Sequence, residues 1–122
     1  KIKKIAKELK IKKELIDRPL NEGASGGERK KLEVLQMAIL NPDIIFFDEI
    51  DTGVDIDALQ LIASGIRELQ KEHVGIILIT HSERIFQYMK VDRVLVMARG
   101  RIIKDGTNAL IEKISKTGYN HI

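Results

Sequence analysis

The sequence predicts an α/β domain with a mostly parallel sheet flanked by helices, and three features carry that expectation. Ile44-Ile45-Phe46-Phe47 and Gly75-Ile76-Ile77-Leu78-Ile79 are short, continuously apolar runs. That pattern suits strands buried on both faces, as in a parallel sheet. Between them, residues 55–71 place Leu59, Ile62, Ile66 and Leu69 on one helical stripe. A strand, a helix and a second strand in that order imply α/β architecture.

The other elements follow in chain order. Ile2, Ile5 and Leu9 mark an amphipathic N-terminal helix that Pro19 breaks, and Asn21-Glu22-Gly23 is a loop signal. Ser25-Gly26-Gly27-Glu28 fits a capping box, with Ser25 at the N-cap and Glu28 three residues on. The helix it opens runs through Leu32, Leu35, Ala38 and Ile39 and stops before Pro42. A short helix is expected from Ser82 to about Met89. Arg93–Ala98 and Arg101–Lys104 read as a hairpin around Arg99-Gly100. Thr107 is the expected cap of a last helix ending near Gly118.

Composition limits the possibilities. The 122 residues suffice for one modest domain. Charged residues make up 32% and mean hydropathy is −0.12, which excludes a disordered or membranous chain. No apolar run approaches the roughly 18 residues of a membrane helix, no signal peptide is visible, and a cytoplasmic protein is expected. The absence of cysteine excludes disulfides, Cys-ligated zinc and iron–sulfur ligation by the chain itself. The net charge of +3 is local: residues 1–14 carry +5 and the remainder −2. With five aromatics and no Trp to stack on bases, a solvated Lys-rich helix face is the expectation, and no specific nucleic-acid partner.

Chemistry is expected where elements meet, because open α/β sheets bind ligands at the carboxyl ends of their strands. Asp48-Glu49 closes the first apolar run. One carboxylate suits a magnesium ion shared with substrate phosphates, and the other a water-activating base; an ordinary acidic strand end has the same pattern. Ser25-Gly26-Gly27 opens a helix whose amides and positive end suit a phosphate, or it is simply a capped turn. Thr80-His81 ends the second run, and His81 is either a phosphate contact or a structural histidine.

Order and spacing are more specific than any one of these. Gly27 precedes Asp48 by 21 positions, Asp48 precedes His81 by 33, and Thr52-Gly53-Val54-Asp55 follows the carboxylates directly. From Asn21 onward the chain resembles the ABC ATPases. Ala24–Glu28 is similar to their signature loop, Ile44–Glu49 to Walker B with its glutamate, Thr52–Asp55 to the D-loop, and His81 to the switch histidine. Asn21–Glu28, Leu35–Ala38, Asp55–Leu59 and Gly118-Tyr119 resemble the SufC subfamily, which serves iron–sulfur cluster assembly. Ala24 stands where Leu or Phe is commoner, and Val54 where Leu is commoner.

The resemblance implies ATP and Mg2+ as ligands and an ATP-dependent dimer of ATPase domains. It gives Asp48 to magnesium, Glu49 to the attacking water and His81 to the γ-phosphate. Ser25, Gly26, Gly27 and Glu28 would clamp nucleotide held by an opposing subunit, and Asp55 would communicate across that interface. Lys30 matches a lysine that pairs with the glutamate at rest, and otherwise is a solvated helix charge. A SufB or SufB–SufD-like scaffold is the implied partner. The P-loop is missing, since none of the nine glycines precedes a lysine. The expectation is therefore the carboxyl half of an ABC ATPase domain, P-loop NTPase-like in fold. Residues 1–40 end its helical subdomain, residues 41–122 hold Walker B onward, and the P-loop unit lies upstream. Such a half should bind ATP poorly alone and expose apolar faces. Alternatives are a transporter ATPase, the carboxyl lobe of an SMC-type ATPase, and a catalytically silent docking module.

Overall fold

The computed structural model describes residues 2–19 and 22–119; Asn21, within the predicted loop, lies outside them. The elements run α1 (Ile2–Glu8), α2 (Lys13–Ile16), α3 (Gly26–Leu40), β1 (Ile44–Asp48), α4 (Ile56–Gln70) and β2 (Gly75–Ile79). A single 3-10 turn (Arg84–Gln87), β3 (Val94–Ala98), β4 (Arg101–Gly106) and α5 (Asn108–Thr117) follow. The α/β class is as expected. β1 and β2 pair in parallel from Ile44↔Gly75 to Asp48↔Ile79, with α4 as the crossover. β3 and β4 form a separate antiparallel hairpin.

The core lies between that parallel pair and a layer made of α1, α3 and α4. α4 is its centre: Leu59, Ile62, Ala63, Ile66 and Leu69 are almost wholly buried, among Ile5, Leu9, Val34 and Ala38 of the neighbouring helices. Ile45 and Phe47 of β1 face this layer. Their alternates do not find cover, for Ile44 is 58% and Phe46 66% exposed, and Ile77 and Ile79 stand out beside them. The expectation of strands buried on both faces is corrected here. Every described helix that packs on the pair lies on one side, so an apolar sheet face is left open.

Two helix ends explain further departures. The N-terminal helix does not run to Pro19. It stops after Glu8 in a Schellman motif with Lys10 left-handed at φ 48°. There the Lys10 amide donates to the Lys7 carbonyl and the Ile11 amide to that of Ala6. The helix expected over 82–89 is only a 3-10 turn. The Ser82 amide donates to Thr80 Oγ1 and the Arg84 amide to Ser82 Oγ, which diverts the donors of a first α-turn. α3 ends as expected before Pro42, with Asn41 left-handed and its amide donating to the Met37 carbonyl. The hairpin turns at Arg99 (φ 49°) and Gly100 (φ 73°), the two positive angles of a type I′ turn. Thr107 holds the N-cap position of α5 without a side-chain cap bond. The neighbouring Asn108 side chain bonds both the amide and the carbonyl of Val91 instead.

Gly65 sets how closely the helices meet. A Cβ there would lie 2.7 Å from Leu9 Cδ2 and 3.0 Å from Val34 Cγ1, both on fully buried residues. Removing a mid-helix glycine would ordinarily gain about 0.5–1 kcal/mol, but overpacking costs about 1–3 kcal/mol. Gly65→Val is therefore expected to destabilise the fold by about 2 kcal/mol, read as a lower urea midpoint at unchanged slope; an unchanged midpoint would refute the close packing. At the other edge of the interface, Lys4 Nζ lies 2.7 Å and Lys71 Nζ 2.5 Å from the Glu68 carboxylate. Hydrogen bonds from Lys4 and then Lys71 hold Glu68 down at about 2. Because this carboxyl is depressed in the fold, its contribution is present above its ordinary value of 4.5 and lost as pH falls toward 2. Acid titrations of the parent and Lys4→Met should differ above pH 4.5 and converge toward pH 2; a constant gap would exclude the linkage.

Candidate functional site

The end of the parallel ladder builds the site. After Asp48↔Ile79 the Glu49 amide still donates to the Ile79 carbonyl at 2.8 Å, and the chain then turns. Glu49 is left-handed at φ 51°, with the Thr52 amide donating back to its carbonyl. The geometry carries its side chain to His81 on the next strand end, where Glu49 Oε1 and His81 Nδ1 lie 3.1 Å apart. Both side chains are open to solvent, and Asp48 is exposed beside them. Two groups suited to proton and phosphate chemistry, 32 positions apart in sequence, thus meet at the carboxyl edge of a parallel sheet.

The same turn holds a residue that the sequence did not single out. Asp51 is 4% exposed, and its Oδ2 accepts from Thr80 Oγ1 at 2.7 Å. The only hint in sequence is its place between Ile50 and Val54, which both reach the core.

At the start of α3 the predicted capping box is present. Ser25 Oγ accepts from the Glu28 amide at 3.2 Å, and Glu28 Oε2 accepts from the Ser25 amide at 2.9 Å. The bond from the Ser25 backbone, then that with its side chain, holds the Glu28 carboxyl below its ordinary range. The two glycines differ. A Cβ on Gly26 would meet open space, whereas one on Gly27 would lie 3.3 Å from Ala58 Cβ. Gly27 thus packs α3 against the first turn of α4, which Asp55 caps by accepting from the Ala58 amide at 2.7 Å. The two capped helix starts are neighbours. Among the described residues, no hydrogen bond or ion pair links Ser25–Glu28 to Glu49 or His81. Lys30 lies 3.6 Å from Glu33, while Glu49 is engaged with His81.

A metal would find few protein ligands. No group of three or more His, Cys, Asp or Glu residues among those described could hold one. No described helix is long and apolar enough to cross a membrane.

Comparison with known proteins shows what the chain is similar to. No family model matches the chain. It is 42% identical over 114 residues to vegetative protein 296 of Bacillus subtilis, covering 93% of this chain and 44% of that protein. It is 44% identical over 112 residues to the probable ATP-dependent transporter ycf16 of Cyanophora paradoxa, 92% of this chain and 43% of that one. The probable ATP-dependent transporter SufC of Escherichia coli is 42% identical over 111 residues, 91% and 45%. The chain therefore spans less than half the length of these relatives. Among solved structures, the ADP conformation of an ABC-transporter ATP-binding cassette aligns with TM-score 0.75 and 28% identity, over 96% of this chain and 45% of that one. A nucleotide-free cassette aligns with TM-score 0.76 and 26% identity, over 99% and 48%. Sequence and fold agree: over more than nine-tenths of its length the chain is similar to part of the SufC and ycf16 proteins, and in fold to part of ABC-transporter ATP-binding cassettes.

Proposed function

We propose that this chain is the carboxyl part of a SufC-type ATP-hydrolysing subunit that energises iron–sulfur cluster assembly on a SufB or SufB–SufD-like scaffold in the cytoplasm. The observation that carries the ATPase reading is the meeting of Glu49 and His81 at the ends of adjacent parallel strands. In the proposed division, residues 1–40 end the helical subdomain and residues 41–122 carry Walker B, D-loop and switch histidine. The open apolar face of β1 and β2 supports a larger sheet domain, because parallel strands are ordinarily covered on both sides. In that proposal the rest of the domain supplies the P-loop. The transporter-type reading is the second one, favoured by the cassettes the fold resembles.

Glu49 orients the water that attacks the γ-phosphate and takes up its developing charge. His81, exposed on the neighbouring strand end beside Glu49, donates to the γ-phosphate. Asp48 is an exposed lone carboxylate with no ligand cluster around it. That fits magnesium, which takes one or two carboxylates and completes its shell with phosphates and water. Bound there, the ion would neutralise charge on the phosphates. Ser25 and the free amides of Gly26 and Gly27, with Glu28 fixing the cap, face nucleotide on an opposing ATPase domain, and Asp55 joins that interface. Lys30 is the proposed resting partner of Glu49, which means exchanging Glu33 for Glu49 while His81 is released. No nucleic-acid partner is assigned.

In the complete ATPase, Glu49→Gln is expected to lower turnover by about 10²–10⁴-fold, the usual worth of a general base, while ATP binding persists. Steady-state hydrolysis and nucleotide titration check this together, and full turnover in Glu49→Gln would overturn the reading. Pull-down against a SufB–SufD scaffold and against a membrane permease separates the SufC-type from the transporter-type reading.

A further inference from the structure

The Glu49–His81 contact is too exposed to fix its own geometry. Both side chains stand in solvent, and such a pair contributes little against the rotamer freedom it must restrain. Something else must hold the two turns that present them. The candidate is Asp51, the one buried charged or polar residue among those described, in a turn whose polar neighbours Glu49, Thr52 and Asp55 are all exposed. Ile50 and Val54, both buried, pin the turn to the core on either side of it.

Asp51 reaches from the turn after β1 to the turn after β2. Its Oδ2 lies 2.7 Å from Thr80 Oγ1, and Oδ1 finds no donor among the described residues. Thr80 Oγ1 in turn accepts from the Ser82 amide at 2.9 Å, so its single proton is directed to Asp51 or to the Ser82 carbonyl at 3.0 Å. A buried carboxylate with an unmatched oxygen is a poor device for stability alone, because desolvation penalises it and an apolar side chain would fill the space more cheaply. Its position is informative: Glu49 lies two residues before Asp51, and His81 directly follows Thr80.

We infer that Asp51 is a positioning residue which, through the Thr80 hydroxyl, locks the two strand-end turns together and so holds Glu49 and His81 in a common frame. This rests on the reading that both act in one ATPase site. The class of effect is geometric. A displacement of the reacting groups of order 1 Å costs up to about 10²-fold in rate without comparable loss of ground-state binding.

The test uses Asp51→Ala, Thr80→Val and Thr80→Ser in the complete ATPase, with Glu49→Gln as reference. Asp51→Ala and Thr80→Val are each expected to lower kcat per folded protein about tenfold with KM for ATP within about twofold. Thr80→Ser, which keeps the hydroxyl, should restore kcat to within about twofold and return the His81 ring nitrogen resonances that Thr80→Val displaces. If Asp51→Ala does not fold, the half-buried Thr80 pair decides, since Val and Ser differ there chiefly in the hydroxyl. Inactive Glu49→Gln beside unaffected Asp51→Ala and Thr80→Val, or a Thr80→Ser as impaired as Thr80→Val, overturns the positioning role alone. Full turnover in Glu49→Gln overturns the site reading and this inference with it.

Discussion

Everything at the candidate site depends on the register in which β1 lies beside β2. A parallel ladder that ends at Asp48↔Ile79, with the Glu49 amide on the Ile79 carbonyl, leaves Glu49 one residue beyond it on β1 and His81 two residues beyond it on β2. A slip of one residue would turn Ile45 and Phe47 outward and bring Phe46 into the helices, exchanging every side chain between the two faces. The buried alternation of β1 forbids that slip. Core packing thereby fixes the distance between two polar groups that hardly stabilise each other.

α4 enforces that register. It enters through the Asp55 cap beside the start of α3, crosses the sheet with its stripe wholly buried, and returns the chain to Gly75, whose amide donates to the Asp43 carbonyl at 2.9 Å. Gly65 lets α4 pack tightly on Leu9 and on Val34 of α3, and Gly27 of α3 packs on Ala58 in the first turn of α4. The same helix thus sets the thickness of the core and the neighbourhood of the two capped starts.

The legible parts of this fold were those with local causes. The period of Leu59, Ile62, Ile66 and Leu69 gave α4, the apolar runs gave β1 and β2, and the spacing of Ser25 and Glu28 gave the capping box. Asp48, Glu49 and His81 stand out in the sequence as candidates by order and spacing, and the structure brings the last two into contact. The misses have non-local or unmarked causes. Lys10 terminates α1 in a left-handed conformation where Gly or Asn would have signalled it. Asp51 reads as one more acid in a polar turn, since its burial arises only when Thr80, 29 positions later, arrives beside it. The continuous apolar run of β1 reads as burial on both faces, whereas the structure covers only the face of Ile45 and Phe47 and leaves Ile44 and Phe46 exposed.

The Ser25–Glu28 turn shows how little freedom the proposed nucleotide contacts retain. Its capping box already engages the Ser25 hydroxyl oxygen and the Glu28 carboxylate, which is held ionised by the bonds from Ser25. Gly27 is committed to packing on Ala58. What remains for a phosphate is the first-turn amides, reached across Gly26, where a side chain would stand in open space. The Ser25 hydroxyl can still donate its proton while its oxygen accepts from the Glu28 amide. A cap that stabilises α3 without a ligand is therefore compatible with one that clamps a phosphate, and the two roles share one serine through its two hydrogen-bonding faces.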